Sequence, residues 1–149
     1  MATDKQQLGA FGEVLVTRRC ACPKCKRRKT LRRLPTNFKC ADLVCDFCGF
    51  LAQVKSKSVT DVSRLPATLL GGAWSVQRER MDAGIYFPLF IVLVASPRRS
   101  AVYYLSADLQ TRQMFVARRP LAKAARHAGW QGYYVDLTHM ADRCIVRLS

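Results

Sequence analysis

The sequence predicts an α/β fold with an inserted zinc ribbon, and three observations predict it. Apolar residues make up 50% of the 149 and charged residues 23%, a composition that supplies a core and excludes wholesale disorder. Beyond residue 50, strand-like apolar runs alternate with helix-like stretches, the pattern of helices laid on a central sheet. Four of the seven cysteines fall into two CxxC pairs, the spacing of a tetrahedral metal site. The length suits one domain with room for a small metal-stapled subdomain.

Taken in order, residues 11–17 are apolar enough for a strand leading into the first cysteine group. Residues 38–44 and 50–55 predict two short strands around Cys45-Asp46-Phe47-Cys48-Gly49. Residues 66–82 predict a helix: Pro66 suits its first turn, Gly84 its stop, and Gly71-Gly72 is a weak point inside. Residues 85–95 predict a buried strand whose early part Pro88 makes a bulge or an edge. A turn at Ser96-Pro97-Arg98-Arg99 leads to a strand at 101–105, and 115–117 predicts another. Residues 121–128 predict a helix closed by Gly129, and 133–137 and 144–148 predict late strands. The core is expected mostly from residues after 50, because the Arg/Lys-rich part cannot supply one.

Lys and Arg number 25 against 10 Asp and Glu, for a formal net charge of +15. Such a surface favours a polyanion, and nucleic acid is the first candidate. No acid lies between Glu13 and Asp42, but ten basic residues do, among them Arg27, Arg28, Lys29, Arg32, Arg33 and Lys39. The first three of those, with Arg32, Arg33 and Lys57, are the predicted DNA-contacting residues. A looser second group comprises Arg112, Arg118, Arg119, Lys123 and Arg126. No apolar segment follows residues 1–7, so no signal peptide is expected and a cytoplasmic, reducing setting follows. The longest apolar run, 85–95, is too short to span a bilayer, which excludes a membrane role.

Cys22-Pro-Lys-Cys25 and Cys45-Asp-Phe-Cys48 are separated by 19 residues. In a reducing setting, four thiolates so spaced point to a structural Zn²⁺. Gly49 fits the tight turn after the second pair. Cys20 and Cys40 lie close enough to compete as ligands, but neither forms a further CxxC, and both are expected to be bystanders. Cys144 falls in an apolar stretch and is expected in the core.

If Cys45 and Cys48 form the tip of a hairpin with its midpoint between Asp46 and Phe47, Asp42 falls opposite Leu51 and diagonal to Gln53. Gln53 and Lys55 share a strand face. A carboxylate, a side-chain carbonyl and a Lys on adjoining strands make a hard-cation site beside a cationic group. That set suits phosphodiester hydrolysis, in which the ion polarises the phosphate and acidifies its water while Lys steadies developing charge.

Asp42 followed eleven positions later by Gln53-Val54-Lys55, with CPxC just upstream and CxxC inside that interval, resembles the catalytic domain of the Dam-replacing restriction endonucleases, the DpnI family of the PD-(D/E)xK nuclease superfamily. Gly72-Ala73-Trp74 fits the same family. So do Arg119-Pro120-Leu121, the run from Ala125 to Gly132, and Val135-Asp136-Leu137-Thr138. The resemblance covers about residues 12–148. It implies an αβα restriction-endonuclease-like core in a single nuclease domain over 1–149, with the zinc-ribbon subdomain at about 20–49. It further implies a type II restriction-like, Mg²⁺-dependent deoxyribonuclease in a bacterial-type cytoplasm, leaving a 5′-phosphate and a 3′-hydroxyl on double-stranded DNA. Asp42, Gln53 and Lys55 would be its catalytic residues. Asp42, Gln53 and the Val54 carbonyl would hold Mg²⁺, and Cys22, Cys25, Cys45 and Cys48 would hold Zn²⁺. Methylated adenine is the site such an enzyme would read, as a monomer or as a transient dimer on DNA.

Two departures stand out. Gln53 replaces the more usual Glu, as in Mrr-type nucleases, and removes one negative charge from the metal site. No C-terminal winged-helix domain follows, which detaches methyl-adenine recognition from the nuclease chemistry. The competing readings are a non-catalytic zinc-ribbon nucleic-acid binder and a silent specificity or repressor subunit derived from such a nuclease. Asp42 among so many cations discriminates against the pure binder. Trp74 and Trp130 are expected in the core or between layers, with base stacking as the alternative. His127 and His139 are expected at the surface, and Asp46 is expected to be solvated.

Overall fold

The computed structural model describes residues 3–38, 41–140 and 144–149. The readings made for Lys39 and Cys40 lie outside the described residues.

Residues 11–17, predicted as a strand, lie within a helix, α1 (Asp4–Arg19). A capping box starts it: Gln6 N–H donates to Thr3 Oγ1 at 3.2 Å, and Thr3 N–H to Gln6 Oε1 at 2.8 Å. Two basic residues in the last turn, Arg18 and Arg19, oppose the helix dipole favourably. Gly9 and Gly12 each cost a helix about 1 kcal/mol relative to Ala. At Gly12 the reason for the glycine is steric, since a Cβ there would stand 1.9 Å from Ser56 Oγ. The helix therefore lies tight on the strand that carries the Gln53–Lys55 pair. The buried residues Gly12, Leu15 and Val16 keep the helical period. Tertiary packing of that stripe outweighs the strand preference of the local valines.

Among the described residues, nine strands follow in two sheets. The larger has the order β1 (Leu31–Arg33), β2 (Leu43–Cys45), β3 (Leu51–Ser58), β5 (Leu89–Ser96), β6 (Arg99–Leu105), β9 (Val146–Arg147). The smaller runs β4 (Thr68–Ala73), β8 (Gly132–Asp136), β7 (Phe115–Ala117). All pairs are antiparallel except β3 with β5. A parallel pair needs a crossover, and here it contains β4 and the helix α2 (Trp74–Asp82).

The strand at the sheet's centre shows why this stacking is stable. Phe90 and Val92 of β5 bury with Leu15 and Val16 of α1. Leu89, Ile91 and Leu93 bury on the opposite face with Leu69, Tyr133 and Val135 of the smaller sheet. Alternate residues of one apolar strand thus serve two cores. The fold is mixed α/β and dominated by its sheets.

Several predicted elements are corrected. Residues 68–73 belong to β4, and only the last part of the predicted 66–82 helix forms, as α2. Two consecutive glycines weaken a helix, while β8 offers a partner with Leu69 opposite Val135. Residues 121–128 form turns rather than a helix. Leu121 there is exposed, so the segment has no apolar face to bury, and so short an isolated helix is marginal. Its ends are tied instead by Leu121 N–H to Trp130 O at 2.9 Å and Gly129 N–H to Leu121 O at 3.0 Å. Pro88 precedes β5 without bulging it, and its carbonyl accepts from Gln53 N–H at 2.8 Å. The last strand shortens to β9, leaving Cys144 half-buried outside it. Trp130 is exposed, against the expectation of a core role, whereas Trp74 packs against the core.

Candidate active site and metal centre

The metal centre is built from two similar knuckles. In the first, Lys26 N–H donates to Cys22 O at 2.9 Å, with Lys26 at φ +66°. In the second, Gly49 N–H donates to Cys45 O at 2.9 Å, with Gly49 at φ +78°. Each turn wraps its CxxC around one point. Cys22 Sγ lies 3.6 Å from Cys48 Sγ, and Cys25 Sγ 3.7 Å from Cys45 Sγ. All four sulfurs fall within 4.8 Å of one another. Tetrahedral zinc with bonds of about 2.3 Å puts its sulfurs about 3.8 Å apart, whereas a disulfide needs about 2.05 Å. The donor set and its spacing fit a metal such as zinc.

Cys20 is buried and lies outside this cluster. Burial pushes its thiol up to about 11, against the pull of Arg19 and Arg28. Cys45 behaves differently. Burial pushes its thiol up, but the Thr30 hydroxyl at 3.2 Å and the amides of Cys48 and Phe47 outweigh that and hold it at about 6.

The second centre begins one strand away. The observed register pairs Leu43 with Ala52 and Val44 with Leu51. Continued by one residue, it sets Asp42 directly opposite Gln53. The expected pairing of Asp42 with Leu51 was two residues short, because the second knuckle uses Gly49 and Phe50 before β3 begins: Cys45 N–H donates to Phe50 O at 2.8 Å. The corrected register brings Asp42, Gln53 and Lys55 onto one face.

Asp42 is fixed by three bonds. Its N–H donates to Ala52 O at 3.0 Å, its carbonyl accepts from Leu34 N–H at 2.9 Å, and its Oδ2 accepts from Val54 N–H at 2.7 Å. The carboxylate takes the rung that follows the end of β2, and no contact of Oδ1 is found among the described residues. Gln53 N–H faces β5, so the main-chain groups of Val54 turn the other way, past the end of β2. Glu13 of α1 lies close enough for the Asp42 charge to act on it. Burial first, and Asp42 second, raise its pKa, while its hydrogen bond to Arg33 at 3.2 Å pulls it down.

These groups open on a cleft of about 350 Å³ lined by Asp42, Gln53 and Lys55 on one side. Opposite are Gly72, Ala73, Gln77 and Arg80, from the end of β4 and from α2, together with Tyr133 of β8. The Tyr133 ring is 5.9 Å from Lys55 Nζ. Gln77, Arg80, Tyr133 and Glu13 were not singled out from sequence, since each comes from an element distant in the chain. One signal was available: α2 contains a Gln on the face that its neighbours make apolar.

Of the predicted DNA-contacting residues, Arg27, Arg28, Lys29, Arg32 and Arg33 are exposed and Lys57 is half-buried, and several are engaged. The Arg27 guanidinium lies 3.8 Å over the Phe47 ring. Arg32 pairs with Asp46 at 3.0 Å and Arg33 with Glu13 at 3.2 Å. Lys57 Nζ donates to Thr68 O at 2.9 Å, bracing β3 against β4. Arg28 lines a groove with Cys20 and Tyr104. Arg18, Lys29, Arg32 and Arg33 line a separate groove between α1 and β1. His127 and His139 are exposed, as expected. No helix among the described residues is long and apolar enough to cross a membrane.

Comparison with protein-family models gives a match over residues 2–148 to the family described as DpnI: Dam-replacing family.

The two knuckles differ in one respect that stability measurements can read. A left-handed backbone costs a non-glycine residue about 1 kcal/mol, and Lys26 bears that cost where Gly49 does not. Lys26→Gly is expected to raise the stability of the metal-loaded protein by up to about 1 kcal/mol, and Gly49→Ala to lower it by a similar amount. Denaturant titration of the two variants beside the wild type checks the opposite signs.

Proposed function

Because the chain belongs to the DpnI Dam-replacing family, we propose that it is a Mg²⁺-dependent DNA endonuclease of the restriction type, with a restriction-endonuclease-like core. Family membership brings a restriction-like nuclease with DNA as its substrate. The observation that carries the finer reading is the cleft that gathers Asp42, Gln53 and Lys55.

In this reading Asp42, Gln53 and the Val54 carbonyl hold Mg²⁺, and Cys22, Cys25, Cys45 and Cys48 hold a structural Zn²⁺. Bound Mg²⁺ supplies polarisation of the phosphate and acidification of water. The protein's own groups do the rest. Asp42 contributes the charge, its geometry set by the Val54 N–H. Gln53 contributes a neutral oxygen. Lys55, beside the Tyr133 ring, orients the attacking water and balances charge on the phosphate oxygens as the P–O3′ bond breaks. The water oxygen ends on the 5′-phosphate and a proton on the 3′-hydroxyl. The groove of Arg18, Lys29, Arg32 and Arg33 supports duplex binding through phosphates. Adenine methylation is the recognition signal we propose to test first. The neutral Gln53 is the observation that favours a second reading, a silent specificity or repressor subunit.

Plasmid nicking with Mg²⁺ or Mn²⁺ on adenine-methylated and unmethylated DNA decides between the two. Asp42→Ala and Lys55→Ala are each expected to lower the rate by more than about 10²-fold while leaving duplex binding intact. Gln53→Glu is expected to lower the metal concentration for half-maximal rate. A wild type inert on every DNA overturns the nuclease in favour of the silent binder.

Elemental analysis is expected to find one zinc per chain, lost in Cys45→Ser together with thermal stability and cleavage. Metal-free protein of unchanged melting temperature rejects the structural role.

Duplex affinity is expected to fall with salt at a log–log slope of about −0.9 per phosphate contacted. Lys29→Ala and Arg18→Ala should each make the slope shallower by about 1 on any sequence. A slope equal to that of the wild type removes the groove from the interface.

A further inference from the structure

The wall facing Asp42, Gln53 and Lys55 is made by one side of α2. Ala73, Val76, Gln77 and Arg80 line the cleft at helical spacing. Gln77 is unusual among them. It is 5% exposed, and its amide makes no hydrogen bond among the described residues. Gln110, the other buried polar residue, is satisfied, its Nε2 donating to Phe87 O at 2.8 Å. Nor is the Gln77 amide sealed in the interior. The described side-chain atom that lacks both solvent and partner is Ser56 Oγ. Gln77 lines the cleft, and its amide keeps access to solvent.

The start of α2 adds an independent observation. Its N-cap is Ala73, which offers no side-chain cap. Trp74 N–H is taken by Gln131 O at 2.9 Å. The amides of Ser75 and Val76, with the positive end of the helix dipole, are left for a ligand or solvent. Gly72 and Ala73, just ahead of the helix, line the same cleft. On this wall the Gln77 N–H₂ and the first-turn amides of α2 can donate, and Lys55 adds a cation from the facing strand. Converging donors select an anionic acceptor, and a helix N-terminus is suited to phosphate.

We propose that Gln77 is a positioning residue whose amide N–H₂ donates to a non-bridging oxygen of the phosphodiester seated against the first turn of α2. That this phosphodiester is the one cleaved rests on the nuclease reading; the seat itself does not. Solvent in the cleft can satisfy the amide in the free protein, and a bound phosphate oxygen would take the place of that water.

Two variants and two readouts test this. Gln77→Leu removes the amide at similar volume, and Gln77→Glu keeps the shape but cannot donate when ionised. Both are expected to cut the single-turnover cleavage rate with Mg²⁺ on the order of 10²-fold. Gln77→Leu should melt at the wild-type temperature or above. In the protein as purified, with no Mg²⁺ added, the side-chain amide resonances of Gln77, identified by their loss in both variants, should shift as a short DNA duplex is titrated in. Full activity in Gln77→Glu overturns the proposal. So does Gln77→Leu melting lower with cleavage intact, which would mark the residue as structural. Gln77 resonances that stay still while the amides of Lys29 and Arg32 move overturn it whether or not the protein cleaves. A wild type that never cleaves, with Gln77 resonances that do shift, sinks the nuclease and leaves the phosphate seat standing.

Discussion

Strands β1 and β2 are three residues each, too short to hold a register by main-chain hydrogen bonds alone. The four-sulfur cluster at their common end supplies the missing constraint. Cross-strand pairs contribute about 0.2–1 kcal/mol each, whereas a structural zinc of the kind proposed contributes on the order of 10 kcal/mol to the fold that binds it. The register matters because side chains alternate: a slip of one residue would turn Asp42 away from Gln53 and Lys55. Metal ligation and the geometry of the cleft are therefore coupled through a handful of residues, with Asp42 three positions before Cys45 and Gln53 five after Cys48.

Short-range patterns were legible in the sequence, and long-range ones were not. Each cysteine pair could be read because it turns on itself within its own knuckle, and the nearness of Asp42, Gln53 and Lys55 because they lie on one hairpin. The hairpin's register was misjudged because the turn extends through Gly49 and Phe50, a detail of backbone geometry rather than of composition. Residues 11–17 read as a strand because Val14, Val16 and Thr17 favour one locally. They are helical because Gly12 lets the helix lie against Ser56, a contact 44 positions away. Residues 68–73 became a strand because Tyr134 and Val135 pair with Leu70 and Leu69. The far wall of the cleft was missed for the same reason, since nothing near Gln77 or Tyr133 in sequence mentions Asp42.

The basic surface is also organised by distance. The pairs of Arg32 with Asp46 and Arg33 with Glu13 are at least partly exposed, and such pairs are worth about 0–1 kcal/mol. They hold the guanidinium groups in place at little cost to exchange, so a phosphate can replace either acid. Arg33 is tied in this way to the Asp42 side of the cleft through Glu13. A duplex lying in the groove between α1 and β1 would draw on that link, and a loosened pair would remove the pull of Arg33 that holds the Glu13 pKa down beside Asp42.

The crossover between β3 and β5 separates the two walls of the cleft in time as well as in sequence. Residues 22–55 emerge early during synthesis and contain one wall together with the sulfurs of both knuckles. The facing wall waits for α2, and the Tyr133 ring that stands beside Lys55 waits for β8, which cannot pair with β4 until some 60 further residues have been made. A nascent chain can thus carry an ordered metal knuckle while its cleft is still half a surface.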